Sequence, residues 1–382
     1  MHSEKEPPGV IVLYNDTEEM IKGEARDLFA ERGVIACAHA IVDALTNVGY
    51  PTILLPFQND VELALDPYPS DQWTIFNLGE GLSGRLFEEA RIAWALEAMG
   101  YTFTGSGGDA HARCLHKANA KGILATHNVH TPPGWLIRHK DDIRHLRGRL
   151  PFPLIVKPVA EGGSIGLDSD AVVHNEKALI ERVSYVTSCY RQAALVEAFI
   201  DGREFNVALW GDPPEVLPLA EIDFSAFSNP FDRIVSFAAK WEEETFEYKN
   251  TPVLCPAPTS NSLKQRIIKT AQKAWQAMGC RGYARVDMRV SKEEIPYVVE
   301  VNCNPDLSPD AGFYRAARTA GYDYQKMATR ILEIARKHTY VKDRYSPKKR
   351  WPIHIENHDN GWRFQSKRNQ LRRRIMERLQ EI

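Results

Sequence analysis

The chain has 382 residues, 43% hydrophobic and 26% charged, with a net charge of −2; that is enough for two or three domains of ~100–200 residues and gives no overall field to hold nucleic acid or an anionic membrane. Charge is uneven: residues 340–382 carry twelve Lys or Arg against five Asp or Glu, a local +7 that leaves −9 on the rest. Six cysteines (37, 114, 189, 255, 280, 303) lack any C-x-x-C or metal-ligand spacing, and no apolar run approaches a membrane span or a signal segment, so free thiols in a cytoplasmic, soluble protein are expected.

VIVLY (10–14) and TILLP (52–56) read as strands around the helix ACAHAIVDALTNVGY, with Ile41, Ala44, Leu45 and Val48 on one face. WTIFNLGEG reads as a third strand running into a glycine loop, then come the helix FEEARIAWALEAMG and the turn YTFTGSGG. These predict an α/β layered N-terminal domain over 9–112. Residues 113–126 read as one helix, THNVHTPPGWLI as a Pro-rich turn into a short strand, and PFPLIVKP as a strand delivering Lys157 to the loop EGGSIG. After the helix NEKALIERVSYVTSC, ALVEAFI and REFNVALWG read as two strands joined by an Asp201-Gly202 turn. Periodicity fails over 220–258, which predicts a long functional loop. The helix SLKQRIIKTAQKAWQAMG then precedes two strands, ARVDMRV and YVVEVN, and YDYQKMATRILEIARKH reads as a closing helix. In the tail, Leu371, Ile375, Leu379 and Ile382 share a helical face suited to docking on protein.

Strand side chains alternate, so Arg285, Asp287 and Arg289 lie on one face of their strand, and Glu300 and Asn302 on one face of theirs. If the strands pair, Asp287, Glu300 and Asn302 converge as a hard oxygen set suited to Mg²⁺; the alternative is a solvated face with an ion pair such as Arg285–Glu300. EGGSIG fits neither the P-loop nor the dinucleotide fingerprint, yet its backbone N–H groups can fold over phosphate. A strand edge at 197–200 can read adenine, and Glu204 can accept from ribose hydroxyls.

In order and spacing, YTFTGSG, HKANAKGILATHNVHTPPGWLI, PFPLIVKPVAEGGSIGL, LVEAFIDGREFNVALWG, AAKWEEETFEYK, GYARVDMRV and YVVEVNCNP resemble the ATP-grasp superfamily, and within it the D-alanine:D-alanine ligase group, over about 9–337. The resemblance implies an α/β (α+β) ATP-grasp fold: the N-terminal domain, a central subdomain at 113–204, a C-terminal subdomain at 205–339 with the metal and catalytic residues, and a basic extension at 340–382. It implies an ATP-dependent ligase that forms an amide between a carboxylate and an amine through an acylphosphate. Lys117, Lys157 and Lys240 look like its phosphate lysines, and Gly162, Gly163 and Ser164 like its closing loop. Glu197, Ala198 and Ile200 resemble the adenine-reading strand, and Glu204 the ribose contact. Asp287, Glu300 and Asn302 match the ligands of two Mg²⁺ ions, which Mn²⁺ can replace. Arg285 matches the arginine that stabilises the tetrahedral intermediate, with Lys240 and the Asp306 backbone N–H beside it. Small-molecule carboxylate and amine partners and a homodimer are implied, with no membrane or nucleic-acid partner.

The departures fall in the substrate pocket. The group has a serine where Gly163 stands and commonly a tyrosine where Trp241 stands, which latch to a glutamate of the first domain; neither position is expected to serve here, and Glu31 is the candidate glutamate. NLGEGLSGR replaces a histidine-containing loop, and NCNPDLSPDAG puts Asp306 and Ala311 where the group has a glycine and a serine for the acceptor carboxylate. An acidic residue there repels an anionic acceptor or welcomes a cationic amine. Substrates other than two D-alanines, of the kind joined in small-molecule biosynthesis, are therefore expected. The rival readings are a D-alanine:D-alanine ligase proper, an ATP-dependent phosphotransferase, and a nucleotide-binding protein with a nucleic-acid-binding tail.

Overall fold

The computed structural model describes residues 9–338 apart from 59, 82–83 and 147. The helical face predicted in the tail lies outside these residues. In the first layer, β1 (Gly9–Asn15), α1 (Asp27–Val48), β2 (Thr52–Phe57), α2 (Val61–Leu65), β3 (Trp73–Leu78), α3 (Glu88–Ala98) and β4 (Thr102–Phe103) follow in turn. The strands pair in parallel in the order β2-β1-β3-β4. Every residue of β1 is buried because helices cover both faces. Val10, Val12 and Tyr14 enter the core shared with α1, whereas Ile11 and Leu13 enter the one shared with α3. The first helix starts at residue 27, nine residues before the expected start. Gly33 hid the extension; a Cβ there would lie 3.2 Å from the Trp241 ring, so the glycine permits close packing.

Next come α4 (Gly108–Leu115), α5 (Lys117–Thr126), β5 (Gly134–Ile137), β6 (Leu154–Pro158), β7 (Val172–Val173), α6 (Glu176–Cys189) and β8 (Ala194–Ala198). The antiparallel sheet β5-β8-β6-β7 packs on Leu179, Val183 and Val186 of α6. The single helix expected at 113–126 is broken. His116 is extended, and its Nδ1 accepts from Asn119 N–H at 3.2 Å to cap α5. The break frees Lys117 N–H to donate to the Val159 carbonyl at 2.9 Å, which fixes the lysine beside β6.

The third layer holds β9 (Gly202–Trp210), β10 (Glu215–Val216), β11 (Ala220–Ile222), α7 (Phe237–Trp241), α8 (Phe246–Lys249), β12 (Val253–Leu254), α9 (Asn261–Met278), β13 (Tyr283–Ser291) and β14 (Pro296–Asn302), followed by α10 (Gly312–Thr319) and α11 (Tyr324–Lys337). Its sheet runs β12-β11-β9-β13-β14, with β10 also on β9. Leu263, Ile267, Ala271, Ala274 and Met278 of α9 form the buried helical stripe beneath it. The Asp201-Gly202 turn does not make a hairpin: β8 and β9 belong to different sheets. Gly202 is there for close approach, since a Cβ would fall 1.9 Å from the Val290 carbonyl oxygen of β13. The expected loop at 220–258 contains β11, β12 and two helices of four and five residues, too short to show a helical period.

Candidate active site

A cleft of about 630 Å³ opens between the second and third sheets. It brings together the expected phosphate lysines Lys117, Lys157 and Lys240, the loop Gly162, Gly163 and Ser164, and the strand end Glu197, Ala198 and Ile200. Glu204, Arg285, Asp287, Glu300, Asn302 and Asp306 complete its wall. The sequence scatters these groups over almost two hundred residues; strand order gathers them.

Strands β13 and β14 do pair, with Asp287 opposite Glu300 and Arg285 opposite Asn302. The register shifts after Asp287, so Val299 is an extra residue between Val298 and Glu300. A bulge of this kind re-aims side chains at a strand end. The ion pairing differs from the Arg285–Glu300 alternative. Arg285 donates through Nε and Nη2 to the two Asp287 carboxylate oxygens at 2.8 and 2.9 Å. Asn206 adds a third donor to Asp287 at 2.7 Å. Burial opposes the Arg285 charge, but Asp287 outweighs it and raises the guanidinium above its ordinary value. Glu300 pairs with Lys117 at 2.8 Å, and that lysine holds its carboxyl below the usual range against the effect of burial.

The metal fit rests on donor chemistry. Asp287, Glu300 and Asn302 offer only oxygens, as a hard divalent cation requires. No group of three His, Cys, Asp or Glu able to hold a metal occurs among the described residues, so Asn302 must complete any three-residue protein set. Asn302 Oδ1 is oriented by accepting from Asn304 N–H at 3.0 Å. Asn304 in turn accepts from Tyr283 Oη at 2.7 Å and donates to the Gly79 carbonyl at 3.2 Å. It therefore ties the end of β14 to the loop after β3.

Behind Lys157, Glu197 is 1% exposed and lies between that lysine, at 2.5 Å, and Lys121. Burial acts to raise its carboxyl, but the lysines hold it below the ordinary value. Lys121 was missed in the sequence; its signal is the i, i+4 spacing from Lys117 on α5. Asn206, two residues after Glu204 on one strand face, was missed likewise. At the Glu204 end of the cleft, Arg289 donates to Glu204 at 2.8 Å and to the Ile200 and Arg233 carbonyls, with its guanidinium over Phe199. Burial pushes the Lys240 ammonium down, helped by Arg285; its Nζ lies 4.8 Å from the centre of the Trp241 ring.

Contrary to expectation, positions 163 and 241 still meet. Trp241 Nε1–H donates to the Gly163 carbonyl at 2.8 Å, so an indole-to-backbone bond connects α7 with the glycine loop. Gly163 and Ser164 both have positive φ, and Ser164 Oγ donates to the Val235 carbonyl at 2.8 Å. Glu31 instead accepts from Thr17 Oγ1 at 3.2 Å. Burial pushes the Glu31 carboxyl from 4.5 up to about 7, with Glu161 and Glu89 adding to the rise and Thr17 and Lys22 opposing it. Between those values the unfolded chain has released a proton that the folded chain keeps, so this group makes stability fall as pH rises through the window and level off above it. Glu31→Gln is expected to flatten that slope in urea titrations across the window; a slope equal to the wild type's would assign it to another group.

At the far end, Asp306 Oδ1 accepts from Ser308 N–H at 2.8 Å and Ser308 Oγ at 2.6 Å. Arg315 reaches the Asp310 carbonyl at 3.0 Å, and both residues line the cleft.

A parallel α/β layer followed by two antiparallel sheets that face each other across a cleft lined with lysines and carboxylates is the architecture of an ATP-grasp ligase. The family model for the D-ala D-ala ligase C-terminus matches residues 122–333. Uncharacterized protein y4sG of Sinorhizobium fredii is 32% identical over 309 residues, 78% of this chain and 87% of that one. The D-alanine–D-alanine ligase of Nitrosomonas europaea is 32% identical over 258 residues, 67% and 79% respectively. In fold, the chain is similar to the D-alanine–D-alanine ligase of Bacillus anthracis complexed with ATP: TM-score 0.64 and 22% identity, covering 86% of this chain and 98% of that one. The VanG D-Ala:D-Ser ligase of Enterococcus faecalis gives a TM-score of 0.62 at 18% identity, covering 86% and 99%. The chain belongs to the D-alanine–D-alanine ligase family, whose cosubstrate and metal are ATP and Mg²⁺. All six cysteines are free, and no helix among the described residues is long and apolar enough to cross a membrane.

Proposed function

We propose that this ATP-dependent ligase joins a carboxylate to an amine through an acylphosphate, and that its substrates are amino-acid-type molecules other than two D-alanines. One observation carries the reading: the lysines, arginine and oxygen-bearing residues that resemble the family's nucleotide and metal positions line one cleft, as do Asp306 and Ala311, which stand where the family pattern has glycine and serine. In the first step a substrate carboxylate oxygen bonds to the γ-phosphorus and the bond to ADP breaks. In the second the amine bonds to the acyl carbon, phosphate leaves and the amine gives up a proton.

Both steps gather negative charge. Lys117 and Lys157 would hold phosphate oxygens, and Lys240 the transferred group. Arg285, fixed by Asp287 and Asn206, would face the tetrahedral oxyanion together with the Asp306 N–H. Asp287, Glu300 and Asn302 would hold Mg²⁺, which supplies Lewis-acid neutralisation of phosphate charge. The Gly162–Ser164 loop excludes water and protects the acylphosphate. Glu197, Ala198 and Ile200 would contact the adenine, and Glu204, held by Arg289, the ribose.

The free thiols support a cytoplasmic setting. The homodimer rests on the family resemblance, and sedimentation tests it. To test the function, the protein is incubated with ATP, Mg²⁺ and panels of amino acids and amines, D-alanine included, with phosphate release and product mass followed. ADP and phosphate are expected only when both a carboxylate and an amine are present. ADP with a stable phosphorylated product would replace the ligase by the phosphotransferase; D-alanyl-D-alanine as the preferred product would overturn the substrate reading.

A further inference from the structure

The segment between β1 and α1 leaves its own sheet and fastens onto the nucleotide side of the cleft. Lys22 forms an ion pair with Glu161, the first residue of the glycine loop, and the two side chains are only 7% and 10% exposed. Gln192 Nε2 also donates to the Glu161 carboxylate, and Lys117 Nζ to the Glu161 carbonyl. Next to Lys22, Gly23 N–H donates to the Cys189 carbonyl at the end of α6 at 3.0 Å. Gly23 has φ +85, and a Cβ there would fall 2.5 Å from Asp27 Oδ2, so this turn requires glycine. Tyr185 of α6 donates to Glu24 at 2.8 Å. Arg26 lies over the Phe237 ring at 5.0 Å and reaches Glu242 at 3.5 Å, beside α7.

Neighbouring residues of one segment thus grip the glycine loop, α6 and α7, the elements that border the phosphate lysines. Glu161 also poses an electrostatic problem. A carboxylate at the head of a loop meant to wrap phosphate repels the ligand unless a cation neutralises it, and a largely buried carboxylate without a partner is costly. Lys22 meets both needs from another layer of the fold. We propose that residues 22–26 are a strap that holds the glycine loop over the nucleotide, and that Lys22 is a positioning residue for ATP, acting through Glu161. The proposal rests on reading the cleft as the ATP site. The strap couples the first layer to nucleotide capture, because displacing α1 pulls on the loop.

Two measurements test it on the full chain. Hydrogen–deuterium exchange at 161–166, without nucleotide, reads the strap directly. Calorimetry with Mg²⁺ and a non-hydrolysable ATP analogue reads its consequence. Lys22→Met is expected to speed loop exchange and, if it leaves about one molecule in ten with the loop in place, to weaken analogue binding about tenfold. Lys22→Arg should stay near the wild type, and the exchange Lys22→Glu with Glu161→Lys should recover most of the loss. Tyr185→Phe, which removes a separate fastening, should move exchange the same way by less. Unchanged exchange and affinity in Lys22→Met would overturn the strap, and so would Lys22→Arg behaving like Lys22→Met. A wild type that binds no analogue would count against the ATP reading of the cleft, while the exchange comparison would still decide the strap.

Discussion

Glu300→Gln is expected to lower turnover about a thousandfold while the protein stays folded. Glutamine keeps the volume of glutamate and can still accept the Lys117 hydrogen bond now made at 2.8 Å. The Glu300 side chain is 29% exposed while Lys117 is 9% exposed, so losing this ion pair should cost some stability, less than at a fully buried carboxylate, and leave the protein folded. Chemistry at the cleft should suffer far more. A neutral amide binds a hard cation weakly, and several kcal/mol of charge stabilisation in phosphoryl transfer corresponds to roughly three powers of ten in rate. Phosphate release under saturating substrates, with a thermal melt as the folding control, measures this. Undiminished turnover would remove Glu300 from the metal set.

The same residue shows how far the sequence could be read. Glu300 and Asn302 share a strand face because side chains alternate, and the pairing with Asp287 follows from a short connection between two strands. The partner of Glu300 could not be found in this way. Lys117 reaches it because His116 interrupts a helical run, and histidine is not a helix breaker; the break is favoured by the His116 cap on α5 and by the contact with Val159 across the fold. Asp201-Gly202 misled for the opposite reason. The dipeptide is a strong local turn signal, but the close approach of β13 uses that glycine instead. Trp241 could not be foreseen as a latch because its partner is the Gly163 carbonyl, and a backbone oxygen leaves no mark in residue identity. Local periodicity therefore carried the elements, whereas the contacts between layers had to come from the structure. The strap at 22–26 is wholly of the second kind: its lysine, glutamate and arginine look like ordinary surface charges until the layers are assembled.

Glu197→Gln is expected to have the largest effect on stability, a loss of about 3–5 kcal/mol at neutral pH. Glu197 is 1% exposed, and the Lys157 and Lys121 side chains are 10% and 12% exposed. A neutral amide leaves two ammonium groups in the same buried space with no counter-charge. Each can meet that cost by releasing its proton or by drawing in water, and either response moves Lys157 away from the cationic state that phosphate requires. Stability and nucleotide affinity should consequently fall together, unlike in Glu300→Gln. The pH dependence gives an independent check. Because the folded carboxyl of Glu197 is held below its ordinary 4.5, its contribution is present above that pH and is lost as pH falls through the folded value. The stability gap between wild type and Glu197→Gln in urea titrations should thus be full at neutral pH and close as the solution is acidified below about 4.5. A gap that persists unchanged into acid would mean that packing around residue 197, and not the charge triad, holds this corner of the cleft.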